Sequence, residues 1–162
     1  MNWDPFIVCQ PNQSPPKPRD IHSKEGLGDR MRSAAFAELQ ATRAFKWASE
    51  HFNDVPEQLK TDWVRLSKME QEHLDAIIKR MDELEISLQE KPVSSRLWDS
   101  LMKCKSGKEF CLFISSAEER GRQAGIKLCQ VIKKTDPVTA AVFEKIVEEE
   151  VEHVALVKKY YN

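Results

Sequence analysis

Glycine is scarce in this chain, and long apolar runs are missing. Five glycines among 162 residues, with 41% hydrophobic and 31% charged residues, exclude collagen-like and disordered classes and favour a soluble, helix-rich domain. No stretch reaches the roughly 18 apolar residues that a transmembrane helix needs, and Met1 to Val8 lacks the basic-then-apolar order of a secretion signal. The chain is therefore expected in the cytoplasm, without a membrane partner. An excess of one charge is lacking too: the net charge is -1, which gives no electrostatic reason to expect nucleic acid. The four cysteines, Cys9, Cys104, Cys111 and Cys129, form no Cys-x-x-Cys pair. That spacing excludes a zinc ribbon and predicts free thiols.

A repeated stretch stands out against this background. Glu70-Gln71-Glu72-His73 is matched by Glu150-Val151-Glu152-His153, and each copy follows a glutamate, Glu38 or Glu118, by 32 residues. The offset of 80 residues also relates Trp63 to Phe143 and Leu66 to Ile146, so it covers a supersecondary unit rather than a short word.

The surrounding pattern is helical. Met31, Ala34, Ala35, Glu38, Ala41, Phe45 and Ala48 recur at three- and four-residue intervals and predict a first long helix over about 26–52. Asn53-Asp54-Val55-Pro56 breaks it, with Asp54 as the expected N-cap of a second helix reaching about Leu84. Residues 86–107, with a short helix over about 95–104, form a crossover. A third helix is expected over about 108–134, with Gly121 and Gly125 inward, and a fourth from Asp136-Pro137 to about Tyr160. The predicted fold is all-α: an arm over 1–24 holding Pro15-Pro16-Lys17-Pro18, then a four-helix bundle of two pseudo-symmetric hairpins over 25–162.

Within each hairpin the paired glutamates lie about 24 Å from the same end at 1.5 Å per residue, so antiparallel packing makes them level. Glutamate and histidine at i and i+3 share a helical face. A single Glu-x-x-His on a charged helix reads as solvated surface. Two copies, each with an in-register glutamate on an apolar stripe, read as a six-ligand dimetal site. Glu70 and Glu150 are the expected bridging pair, Glu38 and Glu118 terminal ligands, with His73 on one metal and His153 on the other. Crowded carboxylates in a core repel one another and favour two divalent cations, and this donor set suits iron, manganese or a mixed pair. Glu119 is the alternative to Glu118 if the third helix is rotated. Glu72, Glu148, Glu149 and Glu152 read as solvated faces or as groups behind the ligands.

At these residues the chain resembles the ferritin-like superfamily of di-iron carboxylate proteins, which includes the rubrerythrins and the di-iron tRNA hydroxylase. It is most similar to an uncharacterised bacterial branch, a domain of unknown function. Ala37-Glu38-Leu39-Gln40-Ala41, Glu70 to His73, Lys91-Pro92-Val93 with Trp98, Glu118-Glu119-Arg120 and Glu150 to Val154 carry the likeness over about 20–160. The resemblance implies iron and oxygen chemistry. The rubredoxin-like knuckles of rubrerythrins are absent, which implies an external electron donor. The short span after His153 argues against a cage-forming ferritin.

Two functions compete at this stage. The first is a di-iron oxidase or monooxygenase that uses O2 or H2O2 on an unidentified substrate, beside a pocket left by Gly121, Ala124 and Gly125 and lined by Phe36, Phe45 or Ile114. The second is a protective protein that oxidises ferrous iron or removes peroxide without an organic substrate and has a solid core. A bundle that merely binds a partner fits a complete ligand set least. Homodimerisation through a helix face is common in such bundles, and no apolar stripe here requires it. Tyr160, seven residues after His153, is expected as core, with gating of the site as the sharper alternative.

Overall fold

The computed structural model describes residues 1–161; Asn162, the last position of the expected bundle, lies outside the described residues. Among these residues five helices follow in order: α1 (Lys24–His51), α2 (Glu57–Glu83), α3 (Arg96–Leu101), α4 (Gly107–Ile132) and α5 (Pro137–Tyr160). Among the described residues the only extended pairing is one parallel bridge between Val8 and Val93. The chain is all-helical, as the periodicity implies.

Local chemistry fixes the helix ends. The Ser23 side chain accepts from Gly26 N, Ser106 from Glu109 N and Asp136 from Thr139 N, each satisfying one of the free first-turn amides. Asp54 behaves differently from expectation. It does not cap α2, whose N-cap is Pro56 without a side-chain bond; both its oxygens instead accept from Gly107 N at 3.1 Å. The carboxylate from the first turn thus sits at the start of α4, where the helix dipole favours negative charge, and fixes α4 to begin at the end of the bundle where α1 stops. α1 and α4 are therefore antiparallel.

α1 packs on α2 and α4 on α5 as two hairpins, and the 84–106 segment carries the chain from one end of the bundle to the other. Gln40 on α1 holds this crossover: its Oε1 accepts from Trp98 N at 3.0 Å, and its Nε2 donates to Ser94 O at 3.2 Å. The proline-rich arm is also held. Cys9 N donates to Val93 O at 2.8 Å and Val93 N to Ile7 O at 2.9 Å. Trp3 packs edge-on against Phe36 and Trp98, and Phe6 is buried against Phe36.

The core falls into two apolar clusters. One holds Met31, Phe36, Ile77, Met81, Ile132 and Phe143; the other holds Phe45, Leu59, Trp63, Leu66, Phe110 and Ile114. Between them, at the middle of the four long helices, lies a layer of buried charge.

Candidate metal centre

The charged layer is built from the repeated residues. Glu38 comes from α1, Glu70 and His73 from α2, Glu118 from α4, and Glu150 and His153 from α5. Glu70, His73, Glu118, Glu150 and His153 are buried, and Glu38 is mostly so. Charged groups are rarely fully buried unless paired or bound to metal, and here six meet.

Distances show how tightly they converge. His73 Nδ1 lies 3.2 Å from Glu150 Oε1, 3.4 Å from Glu70 Oε2 and 3.9 Å from Glu38 Oε2. On the other side of the layer His153 Nδ1 lies 2.6 Å from Glu70 Oε1 and 3.1 Å from Glu150 Oε2. Glu70 and Glu150 therefore face both imidazoles, one oxygen to each. Glu38, Glu70, His73 and Glu150 each present a ligand atom, all within 4.8 Å of one another. Glu118 approaches the same pair of carboxylates, whose charge acts on it directly.

These short approaches lack the alignment of good hydrogen bonds. Both oxygens of Glu70, His73 Nδ1, Glu118 Oε1, Glu150 Oε2 and both nitrogens of His153 are buried without an aligned partner. Such groups cost about 1–3 kcal/mol each when left unsatisfied, so one fold that collects several in one place calls for a compensating ligand. Lone pairs aimed at a shared interior point are what a cation requires. No thiolate joins the group, and carboxylate with imidazole is the donor chemistry of iron and manganese rather than of a structural zinc site. The residues fit a metal ion.

Without a metal the layer must neutralise itself with protons. Burial, reinforced by the charge of Glu70, holds the Glu38 carboxyl well above the usual range. Burial does the same to Glu118, with Glu70 and Glu150 adding to it. For the histidines burial acts downward but is outweighed by Glu150 and Glu70, which push His73 up to about 10 and His153 up to about 11. At Glu70 burial acts upward and is outweighed by His153 and His73, leaving its carboxyl at about 2. Carboxylates and imidazoles thus share protons where cations would otherwise sit.

The two imidazoles differ behind the ligand atoms. His73 Nε2 lies 2.9 Å from Glu149 Oε2, whereas His153 Nε2 has no partner and its ring packs edge-on to Phe45 at 6.3 Å. A carboxylate behind a ligating histidine fixes the ring and its tautomer. Of the acids off the stripe, Glu149 takes this place. Glu152 pairs with Arg65 at the surface at 2.5 Å. Glu119 is engaged elsewhere as well, accepting from Arg122 at 2.8 and 3.0 Å and from Gln123 at 2.7 Å.

A family model matches residues 4–162, under the description of a protein of unknown function, DUF455. The chain belongs to this family. No curated protein and no solved structure shows significant similarity to it. In this DUF455 chain a cavity of about 580 Å³ lies against the charged layer, with Glu38, Glu118 and Glu150 on its wall. Its other walls come from α1, α4 and α5, among them Ala34, Ala37, Gly121, Phe143 and Val147, with Pro18 and Ile21 of the arm and Leu97 of α3. Phe36, Phe45 and Ile114, the expected lining, are instead packed solid in the core.

The two glycines of α4 separate cleanly. A Cβ on Gly121 would meet nothing within 4 Å, while one on Gly125 would come 2.7 Å from Val147 Cγ2. Gly121 thus faces open space at the cavity rather than the core, and Gly125 permits close packing of α4 on α5. Tyr160 does not reach the layer. Its hydroxyl donates to Asp62 Oδ2 at 2.6 Å, beside Lys159 Nζ, also at 2.6 Å, and so ties the end of α5 to α2.

Proposed function

We propose that this protein is a ferritin-like di-iron carboxylate oxidoreductase that oxidises or hydroxylates an organic substrate. The observation that carries the reading is the buried set of four carboxylates and two imidazoles with unpartnered lone pairs, opening onto an apolar cavity. Glu70 and Glu150, each directed at both imidazoles, take the bridging role; Glu38 and Glu118 are terminal ligands; His73 and His153 each serve one metal. Two iron ions, or manganese in the same donors, would supply activation of O2 or H2O2 with electrons from an external donor.

The chain's own residues supply the rest. Glu149, accepting from His73 Nε2–H, keeps the Nδ1 lone pair turned inward. The two apolar clusters exclude water from the layer on both sides, so charges within it act in a low dielectric. The cavity walls bring an apolar group beside Glu38, Glu118 and Glu150. This last feature separates the reading from a purely protective iron-binding role, which needs no such space.

The deciding experiment is metal content of protein purified without chelator, alongside ferrous oxidation and oxygen uptake, in wild type and Glu70→Ala. About two irons per chain, lost in the variant, with oxygen consumed after reduction, is the expected result. No transition metal in either protein, and no change in metal affinity on substitution, overturns the proposal.

A further inference from the structure

We infer that the cavity beside the charged layer binds an anionic amphiphile: a single carboxylate-type head on an unbranched apolar body. The argument is one of level. Arg30 precedes Glu38 by eight residues on α1 and Lys127 follows Glu118 by nine on α4. At 1.5 Å per residue these are rises of about 12 and 14 Å, and because α1 and α4 run in opposite directions both lead toward the same end of the bundle. The two cations therefore stand level with each other on the wall of one cavity, with the carboxylates at its other end.

Their charge is uncommitted. Arg30 spends Nη1 on the carbonyls of Arg19 and Gly26, and among the described residues no carboxylate lies within ion-pair distance of either Arg30 or Lys127. Arg122, the third cation on the wall, is engaged by Glu119. Between the pair and the metal ligands the wall, apart from the Glu119-paired Arg122, is apolar or small, Ala34, Ala37, Ala117 and Gly121 among its members. Such a cavity offers charge-assisted bonds to one anionic head and hydrophobic burial to a chain about 12 Å long, and the carboxylate end disfavours a second anionic group. The inference rests on the proposed function only in placing the far end of the ligand where oxidation would occur.

Calorimetric titration of the metal-loaded protein with dodecanoate, and with dodecan-1-ol as the neutral counterpart, tests it below micellar concentrations. Saturable one-site binding of dodecanoate, at least tenfold tighter than the alcohol, is expected. The double variant Arg30→Gln, Lys127→Gln should weaken dodecanoate at least tenfold and leave the alcohol unchanged. Gly121→Leu, whose side chain enters open space, should abolish both, with far-UV circular dichroism and metal content as in wild type. No saturable binding, equal binding of the two probes, or indifference to the two variants overturns the inference. Repeating the titration on Glu70→Ala keeps the two readings apart: dodecanoate binding should survive the loss of metal there, and an unchanged metal content in that variant with dodecanoate binding intact condemns only the metal centre.

Discussion

Each imidazole of the centre is caught between Glu70 and Glu150, and the protons this holds in place make a pH signature. His73 and His153 have folded values of about 10 and about 11, above the unfolded value, so their contribution is fully present below about 6.5 and is lost as pH rises through the folded values. Glu38 and Glu118 are also raised; the folded state holds more protons than the unfolded one, and stability again falls with rising pH. Metal-free protein should therefore melt at least about 5 °C lower at pH 9 than at pH 6.5, followed by circular dichroism. Divalent metal reverses the trend. Ligands must be deprotonated to bind, so loading at pH 7 should release at least about two protons per chain, from His73 and His153, and affinity should rise with pH. Calorimetry in buffers of different ionisation enthalpy counts them.

Glu149 belongs to the same scale. Its loss removes the acceptor at His73 Nε2 without touching a donor atom of the layer. Glu149→Ala should weaken metal binding by about 10- to 100-fold, and Glu149→Gln by less, since an amide oxygen still accepts. Competition with a metal-sensitive dye measures both; equal affinity in Glu149→Ala and wild type would refute the role.

At the scale of the element, α4 carries two glycines with opposite reasons. Gly121→Ala places a methyl group in open space and should stabilise the protein by about 0.5–1 kcal/mol, the helix-propensity gain. Gly125→Ala has the same gain but forces Val147 to shift, Val being stiff at χ1, and should fall at least about 1 kcal/mol below the first variant in urea denaturation. The start of α1 is held by charge instead. Asp29, buried, accepts from Arg19 and Lys91 and pairs at 3.2 Å with Arg32, itself 1% exposed; Arg32 also donates to Ser87 O and Glu90. One cluster thus joins arm, helix and crossover. Asp29→Ala leaves the Arg32 guanidinium short of its buried counter-charge and should cost about 3 kcal/mol. Burial acts upward on the Asp29 carboxyl but is outweighed by Arg19 and Lys91, which hold it below its ordinary value. Its contribution is present above about pH 4 and lost as pH falls.

On the scale of the whole molecule, the charged layer divides an otherwise apolar core in two. Each cluster is formed by residues of both hairpins, so the fold does not wait for metal as a zinc finger does. Chelation should leave the helical circular dichroism intact while lowering the melting temperature, by an amount set by the affinity and free concentration of the metal. Unfolding on chelation at 25 °C would show instead that the clusters are too weak to hold the bundle alone.

The sequence by itself determined the helices, the hairpin-crossover-hairpin order and the six residues of the layer, because these depend on periodicity: a 3.6-residue turn puts Glu70 with His73 on the buried stripe, and the 80-residue offset repeats the placement. Tertiary structure decided whatever depends on a partner distant in the chain. Asp54 reads as an ordinary N-cap until α4 arrives 53 residues later to claim it. Glu149 reads as one of several surface acids until α2 brings His73 to it. Glu118 and Glu119 are neighbours in the chain, and only the rotation of α4 turns the first inward and gives the second to Arg122. The cavity is the clearest case, because empty space is the difference between how close two helices come and how far their side chains reach. Small residues at Gly121 and Gly125 are alike in the chain, and the approach of α5 at Val147 makes one a packing contact and leaves the other facing the cavity.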